Sequence, residues 1–251
     1  MITKAQQKLI RSLEHKKYRQ REGLFVAEGP KVVGDLTAAG FEAVMMFTDE
    51  EDVKRLSFLQ HPQGVLGVFR IPEAPLSSPE GDTNVWRAES NVSPSGDERG
   101  ALLLALDGIQ DPGNLGTIIR IADWFGIDAI YCSPDTADAW APKVVQATMG
   151  SIARVPIIYR DLNGLMDEAE AAGIPVYGTL LDGENIYEQE LTAGGIILMG
   201  NEGNGISEPL RQRITRRLLI PDFHQGQTAD SLNVAIATAI TCSEFRRRVR
   251  N

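Results

Sequence analysis

The chain has 251 residues, 43% of them hydrophobic, enough to bury one large core or two smaller ones. Its 34 acidic and 25 basic residues leave a net charge of −9, which on the total alone argues against a phosphate-rich partner. No run approaches the roughly 20 apolar residues of a membrane span. The N-terminal MITKAQQKLIRSLEHKKYRQ lacks the apolar stretch of a secretory signal. Cys132 and Cys242 stand far apart in apolar surroundings without metal-site spacing, so reduced core thiols in a cytoplasmic protein are expected.

Residues 1–72 read as a small α/β unit. A basic helix runs through about residue 18, a strand covers 24–27, and Pro30 suits the first turn of a helix. A strand over 43–47, an acidic helical stretch and a β-rich run over 64–71 (GVLGVFRI), entered through the turn residues HPQG, complete it. Residues 73–100, EAPLSSPEGDTNVWRAESNVSPSGDERG, are rich in Pro, Ser, Gly and acid, the composition of a linker or a mobile excursion.

Residues 101–251 alternate strands and helices. Strands are expected over 102–106, 129–132, 155–158, 176–180, 196–199 and 218–220, with helices over 114–125, 142–149 and 161–172 between them. Apolar strands separated by helices imply a parallel sheet covered on both faces. A last helix begins close to Ser231, which can cap it. Leu232, Val234, Ala235, Ile236, Ala239 and Ile240 make it apolar on more than one side, the pattern of burial on several faces.

In open α/β sheets ligands bind outside the carboxyl ends of the strands. Three strand ends carry unusual polar sequence: DGIQDPGNLG from Asp107, GNEGNG from Gly200, and the loop after Ile220. Any one alone is adequately read as a turn; three on one edge make a site. Glycines there permit close backbone approach, and backbone amides can read an adenine or a carboxylate. Neither the dinucleotide glycine fingerprint nor the P-loop lysine is present, so nucleotide phosphates are poorly supported. No metal-ligand or Ser-His-Asp arrangement is evident, and His15 and His61 read as surface residues.

Arg120, in the helix opened by Asn114, is either an exposed arginine, a partner of Asp123 or a functional cation. Glu202, flanked by glycines, is either a loop charge or a carboxylate that orients a ligand. Basic residues cluster at Lys4, Lys8, Arg11, Lys16, Lys17, Arg19, Arg21 and Lys31, again over 211–217, and at Arg246, Arg247, Arg248 and Arg250. The plain reading of each cluster alone is a solvated helix face.

Three segments in order, NLGTIIRIA from Asn114, GNEGNG from Gly200, and Ile220-Pro221 with Ser231-Leu232-Asn233-Val234-Ala235, resemble the motifs of the SpoU-type (TrmH-like) RNA ribose methyltransferases of the SPOUT superfamily. FVAEG from Phe25 and PQGV from Pro62 are similar to that family's small N-terminal RNA substrate-binding domain. The resemblance implies a Rossmann-like parallel sheet with a C-terminal trefoil knot, and a homodimer with the active site near the interface. It implies S-adenosylmethionine held by the chain around Leu180, Gly200, Ile220 and Leu232. The implied reaction methylates a ribose 2′-hydroxyl of RNA, ribosomal RNA first and transfer RNA second. Arg120 would serve it, assisted by Asn114, Glu202, Ser231 and Asn233. Since arginine is a poor proton acceptor, its expected role is electrostatic stabilisation of the developing alkoxide. The loop over 222–230 is longer than in some relatives and carries two acids and His224. A non-catalytic RNA-binding protein on the same fold is an alternative, set against the presence of Asn114, Arg120, Glu202 and Asn233; a Rossmann oxidoreductase is disfavoured by the missing fingerprint.

Overall fold

The computed structural model describes residues 2–72, 100–224 and 229–249. It opens with two helices, α1 (Lys4–Ser12) and α2 (Lys16–Glu22), in place of the single basic helix expected through residue 18. Thr3 and Gln6 form a reciprocal capping box at the start of α1. At its end, Arg19 Nη1 donates to the carbonyls of Leu13 and Glu14 at 2.6 and 2.7 Å. A side chain thus satisfies carbonyls that a continuing helix would have used, and the chain breaks there.

β1 (Leu24–Glu28), α3 (Pro30–Ala38), β2 (Ala43–Phe47), α4 (Glu50–Leu56) and β3 (Leu66–Arg70) follow where the sequence places them. β3 pairs antiparallel with both other strands, in the order β1-β3-β2. Strand alternation turns Val26 and Val68 toward Ile10, Leu13, Val53 and Leu56 of the helical layer, and Phe25 and Phe69 the other way. That second face is covered by the rest of the chain. Phe25 packs on Trp140 with ring centroids 4.7 Å apart, and both belong to a cluster that continues into the second half. Residues 73–99, within the stretch read as a linker, lie outside the described residues.

The second half contains β4 (Leu102–Asp107), α5 (Pro112–Phe125), β5 (Ala129–Cys132), α6 (Pro142–Ala147), a 3-10 turn (Ser151–Ala153), β6 (Ile157–Tyr159), α7 (Leu162–Ala171), β7 (Val176–Asn185), β8 (Gly195–Gly200), α8 (Glu208–Arg211), β9 (Arg216–Leu219) and α9 (Val234–Val249). Among the described residues its six strands form one parallel sheet in the order β6-β5-β4-β8-β7-β9. Leu102, Leu104 and Leu106 face a core shared with α5, α6 and α9, while Leu103 and Ala105 face one shared with α7 and α8. Both faces are covered, as the unbroken apolar strands require.

Several boundaries differ from the sequence reading. α5 starts at Pro112 because Asp111, not Asn114, caps it. β7 runs past residue 180: after an irregularity between Thr179 and Glu184 it pairs with β9 again. Gly183 permits this, since a Cβ there would lie 2.5 Å from the Leu218 backbone. The final helix starts at Val234, and its cap is Asn233, whose Oδ1 accepts from the amides of Ala235 (3.0 Å) and Ile236 (3.3 Å); Ser231 is exposed and does not cap it. α9 also buries one side rather than several. Val234, Ala235, Thr238, Thr241, Cys242 and Phe245 are inside, while Ile236 is 51% exposed. Both cysteines are buried, and burial pushes both thiols up, that of Cys242 to about 12, so they stay protonated. No described helix is long and apolar enough to cross a membrane.

Candidate functional site

The sheet order reverses beside β4. From β4 the chain builds outward through β5 and β6, then returns to place β7, β8 and β9 on the other side. The loops leaving β4 and its neighbour β8 therefore face each other across a topological switch point, where open α/β sheets bind ligands.

Glu202, in the loop after β8, spans that gap. Its carboxylate accepts from the amides of Gln110 and Asp111 (3.3 Å each) and from Asn114 Nδ2 (3.0 Å). Because Asp111 already takes the Asn114 backbone amide at 2.8 Å, the Asn114 side chain is left to reach outward. Its Oδ1 accepts from Asn233 Nδ2 at 2.9 Å, and Asn233 in turn caps α9. Three predicted residues from three distant segments thus form one string, Glu202 to Asn114 to Asn233. Burial pushes the Glu202 carboxyl up, but the Asn114 amide, its own backbone amide and those of Gln110 and Asp111 outweigh it, holding the group below the usual carboxylate range.

The same loops are braced by residues the sequence reading did not single out. Asn201 Nδ2 donates to the Gly108 carbonyl at 2.6 Å, while its Oδ1 accepts from the amides of Gly203 and Asn204 at 2.9 and 3.0 Å. Ser133 Oγ takes the Gly108 amide at 2.8 Å. Gly200 has no alternative: a Cβ there would sit 2.3 Å from the backbone of Gly205 and Ile206. The available signals were an Asn beside three glycines and an Asp-Pro helix opening, both readable as local turn chemistry.

Arg120 does not join the string. Six residues beyond Asn114 on α5, it lies roughly 240° further round the axis. It is exposed, with no hydrogen-bond or ion-pair partner among the described residues. Asp123, the sequence-level candidate partner, instead binds Arg154 at 2.7 Å. One turn past Arg120, Trp124 is 85% exposed. Ser231 is exposed as well, without a described hydrogen bond.

Following the pairings Gly178↔Leu198 and Thr179↔Leu218, Leu180 stands at the irregularity within β7, level with Gly200 at the end of β8 and Ile220 just past β9. Leu180 and Ile220 are half-buried; Leu232, on the far side of residues 225–228, is 51% exposed. Part of the loop over 222–230 lies outside the described residues. Among the described residues, no group of three or more His, Cys, Asp and Glu side chains could hold a metal ion.

The basic clusters fare unequally. Arg211 and Arg217 pair with Asp182, and Arg213 with Asp167 and Glu170. Arg247 and Arg248 both hold Glu244, and Arg246 donates to the carbonyls of Phe125 and Gly126. Arg250 lies outside the described residues. These arginines brace the fold, those over 211–217 through partly exposed pairs.

Residues 101–243 match the SpoU rRNA Methylase family, and residues 4–55 match the MRM3-like substrate binding domain. The chain is 30% identical over 224 residues to the 23S rRNA (guanosine(2553)-2'-O)-methyltransferase RlmP of Bacillus subtilis, covering 89% of this chain and 79% of that one. Among solved structures, a TrmH-family protein of Porphyromonas gingivalis superposes with a TM-score of 0.82 at 39% identity, over 99% of each chain. An AdoMet-bound rRNA methyltransferase of Sinorhizobium meliloti gives 0.83 at 30% identity, over 99% of this chain and 97% of that one.

Proposed function

We propose, from the premise that the chain belongs to the SpoU rRNA methylase family, that it methylates a ribose 2′-hydroxyl of RNA, ribosomal RNA first and transfer RNA second. The observation that carries this reading is the string from Glu202 through Asn114 to Asn233 at the switch point. S-adenosylmethionine supplies the activated methyl group when bound. The edge formed by β7, β8 and β9 fits it: Leu180 and Ile220 offer apolar surface, and Gly200 lets the loop after β8 fold back against Gly205 and Ile206 beside them. Leu232, exposed just before α9, is proposed as a further apolar contact.

The donor being activated already, the protein has to place the ribose oxygen in line with the methyl and stabilise the charge that develops on it. Asn114 and Asn233, each fixed by the other, orient the hydroxyl. Glu202, held ionised, fixes the Asn114 side chain, and the proton lost from the hydroxyl passes to solvent water. Ser231 stands beside Asn233 in sequence as a further contact for the RNA. Arg120, turned away from its own chain's string, stabilises the alkoxide electrostatically at the site of a second copy, in keeping with an exposed cation that no described residue neutralises.

The exposure of Arg120 and Trp124 on α5, and of Ile236 on α9 packed against it, supports a homodimer in which a second copy covers this face and the active site lies near the interface. The insertion of β8 between β4 and β7, followed by the return of α9 against α5, supports a C-terminal trefoil knot. We further propose an N-terminal RNA-binding unit over 1–72, a connection over 73–100, a catalytic unit over 101–251, and a cytoplasmic location. Transfer of labelled methyl to ribosomal RNA transcripts tests the reading: Arg120→Ala abolishes turnover while calorimetry shows S-adenosylmethionine binding intact. Loss of cofactor binding instead would make Arg120 structural.

A further inference from the structure

We infer that the exposed face of α1 and α2 around Tyr18 is the surface on which the substrate RNA docks, with cations taking phosphates and the Tyr18 ring taking a base. The inference rests on the RNA methyltransferase reading above. Between Lys4 and Arg21 the sequence places seven basic residues and one acid, within a chain of net charge −9. Lys4, Lys8, Lys16 and Lys17 are exposed and have no ion-pair partner among the described residues, unlike the committed arginines of the other clusters. The Tyr18 ring is flanked by Lys17 Nζ at 5.1 Å and Arg21 Cζ at 4.9 Å, with the His15 ring 6.3 Å away. Arg21 also meets Glu22 at 2.6 Å, an exposed pair that is weak in water and that phosphate can displace. An aromatic ring with cations beside it is the pattern that stacks a nucleobase while the charges track its backbone.

The face is held in a fixed position relative to the reaction site. Arg19, on the opposite side of α2, is 3% exposed and grips Asp138 through Nε and Nη2 at 2.9 and 2.6 Å. Asp138 belongs to the loop after β5, in which Ala137 donates its amide to the Ile109 carbonyl and Ser133 Oγ accepts from the Gly108 amide, each at 2.8 Å. The next amides, of Gln110 and Asp111, hold Glu202. RNA seated on α2 is thereby referenced to the catalytic loop through a short chain of hydrogen bonds.

The test uses the full-length protein with two probes, an in vitro ribosomal RNA transcript and an oligouridylate strand. Lys17→Ala/Arg21→Ala leaves the Arg19 anchor intact. It should raise the KM for the transcript about tenfold, leave S-adenosylmethionine affinity unchanged, and flatten the plot of log association constant against log salt by roughly two, one phosphate per cation. Tyr18→Ala should weaken oligouridylate binding about tenfold without changing that slope. Wild-type KM, slope and oligouridylate affinity in both variants would overturn the docking face while methyl transfer stands. A wild-type protein that binds RNA with the full slope, loses it in the double variant, and transfers no methyl would support the face and overturn the enzymatic reading.

Discussion

Asn233 Nδ2 donates to Asn114 Oδ1 at 2.9 Å, joining side chains 119 positions apart, and the other end of the Asn233 amide caps α9. One side chain thus anchors the last helix and fixes an amide of the candidate active site. The two roles separate by substitution. Asn233→Asp keeps the capping oxygen but loses the donor, so the melting temperature should stay near wild type while methyl transfer falls at least tenfold. Asn233→Ala should lose both, with a further stability loss of about 1 kcal/mol from the missing cap. Thermal unfolding and turnover measured on the same samples decide; equal activity in the Asp variant and wild type would reduce the bond to a helix anchor.

Glu202 is held below the ordinary carboxylate range, so it stays ionised across the whole neutral region. The pH profile of methyl transfer between about pH 6 and 9 should therefore carry no inflection from this group. Glu202→Gln should lower the rate at every pH in that window and leave the shape of the profile unchanged. A profile whose acid limb vanishes in the Gln variant would show that Glu202 titrates there and that its hydrogen bonds do not hold in solution.

Glu244, 5% exposed on α9, is lowered mainly by Arg247, against burial, with Arg248 assisting. For a carboxyl whose folded pKa is depressed, the stabilisation is fully present above the unfolded value of about 4.3 and is lost as pH falls through the lower folded value. Glu244→Gln should accordingly melt below wild type at pH 7, with the gap closing in acid below about pH 4. A gap that is constant with pH would mean the loss is one of packing rather than of charge.

The Arg19–Asp138 pair joins the first sheet's helices to the second half of the chain at 2.6 Å with side chains 3% and 13% exposed. Removing one member leaves a buried charge without its partner, at a cost of about 3–5 kcal/mol. Arg19→Ala should show this loss in urea unfolding, and Arg19→Lys should recover only part of it, because an ammonium cannot serve Asp138 and the Leu13 and Glu14 carbonyls together. A loss under about 1 kcal/mol for Arg19→Ala would mean that water replaces the guanidinium.

Much of the architecture is legible in the sequence, because strands such as LLLALD and AIYC are apolar throughout and helix openings such as that of Pro30 carry local signals. The parallel sheet followed directly. Boundaries set by tertiary contacts were not legible: the break after α1 depends on Arg19 reaching back, and the long β7 depends on Gly183 lying against β9. At the site, motif residues Asn114, Glu202 and Asn233 could be named, but not that they bond to one another, since each partner is about 90 or more positions away. Asn201 was missed because its work inside GNEGNG looks in sequence like ordinary turn chemistry. Charge runs said least about pairing: the arginines over 211–217 read as a solvated basic run, yet Asp167, Glu170 and Asp182, distant in sequence, pair with three of them.

The central claim is that this chain methylates a ribose 2′-hydroxyl of RNA, and mapping ribose methylation in ribosomal and transfer RNA from cells with and without the protein tests it most directly. A defined ribosomal RNA position should be methylated only when the protein is present, and should stay unmethylated when Arg120→Ala replaces it. Identical maps in the presence and absence of the protein would contradict the claim.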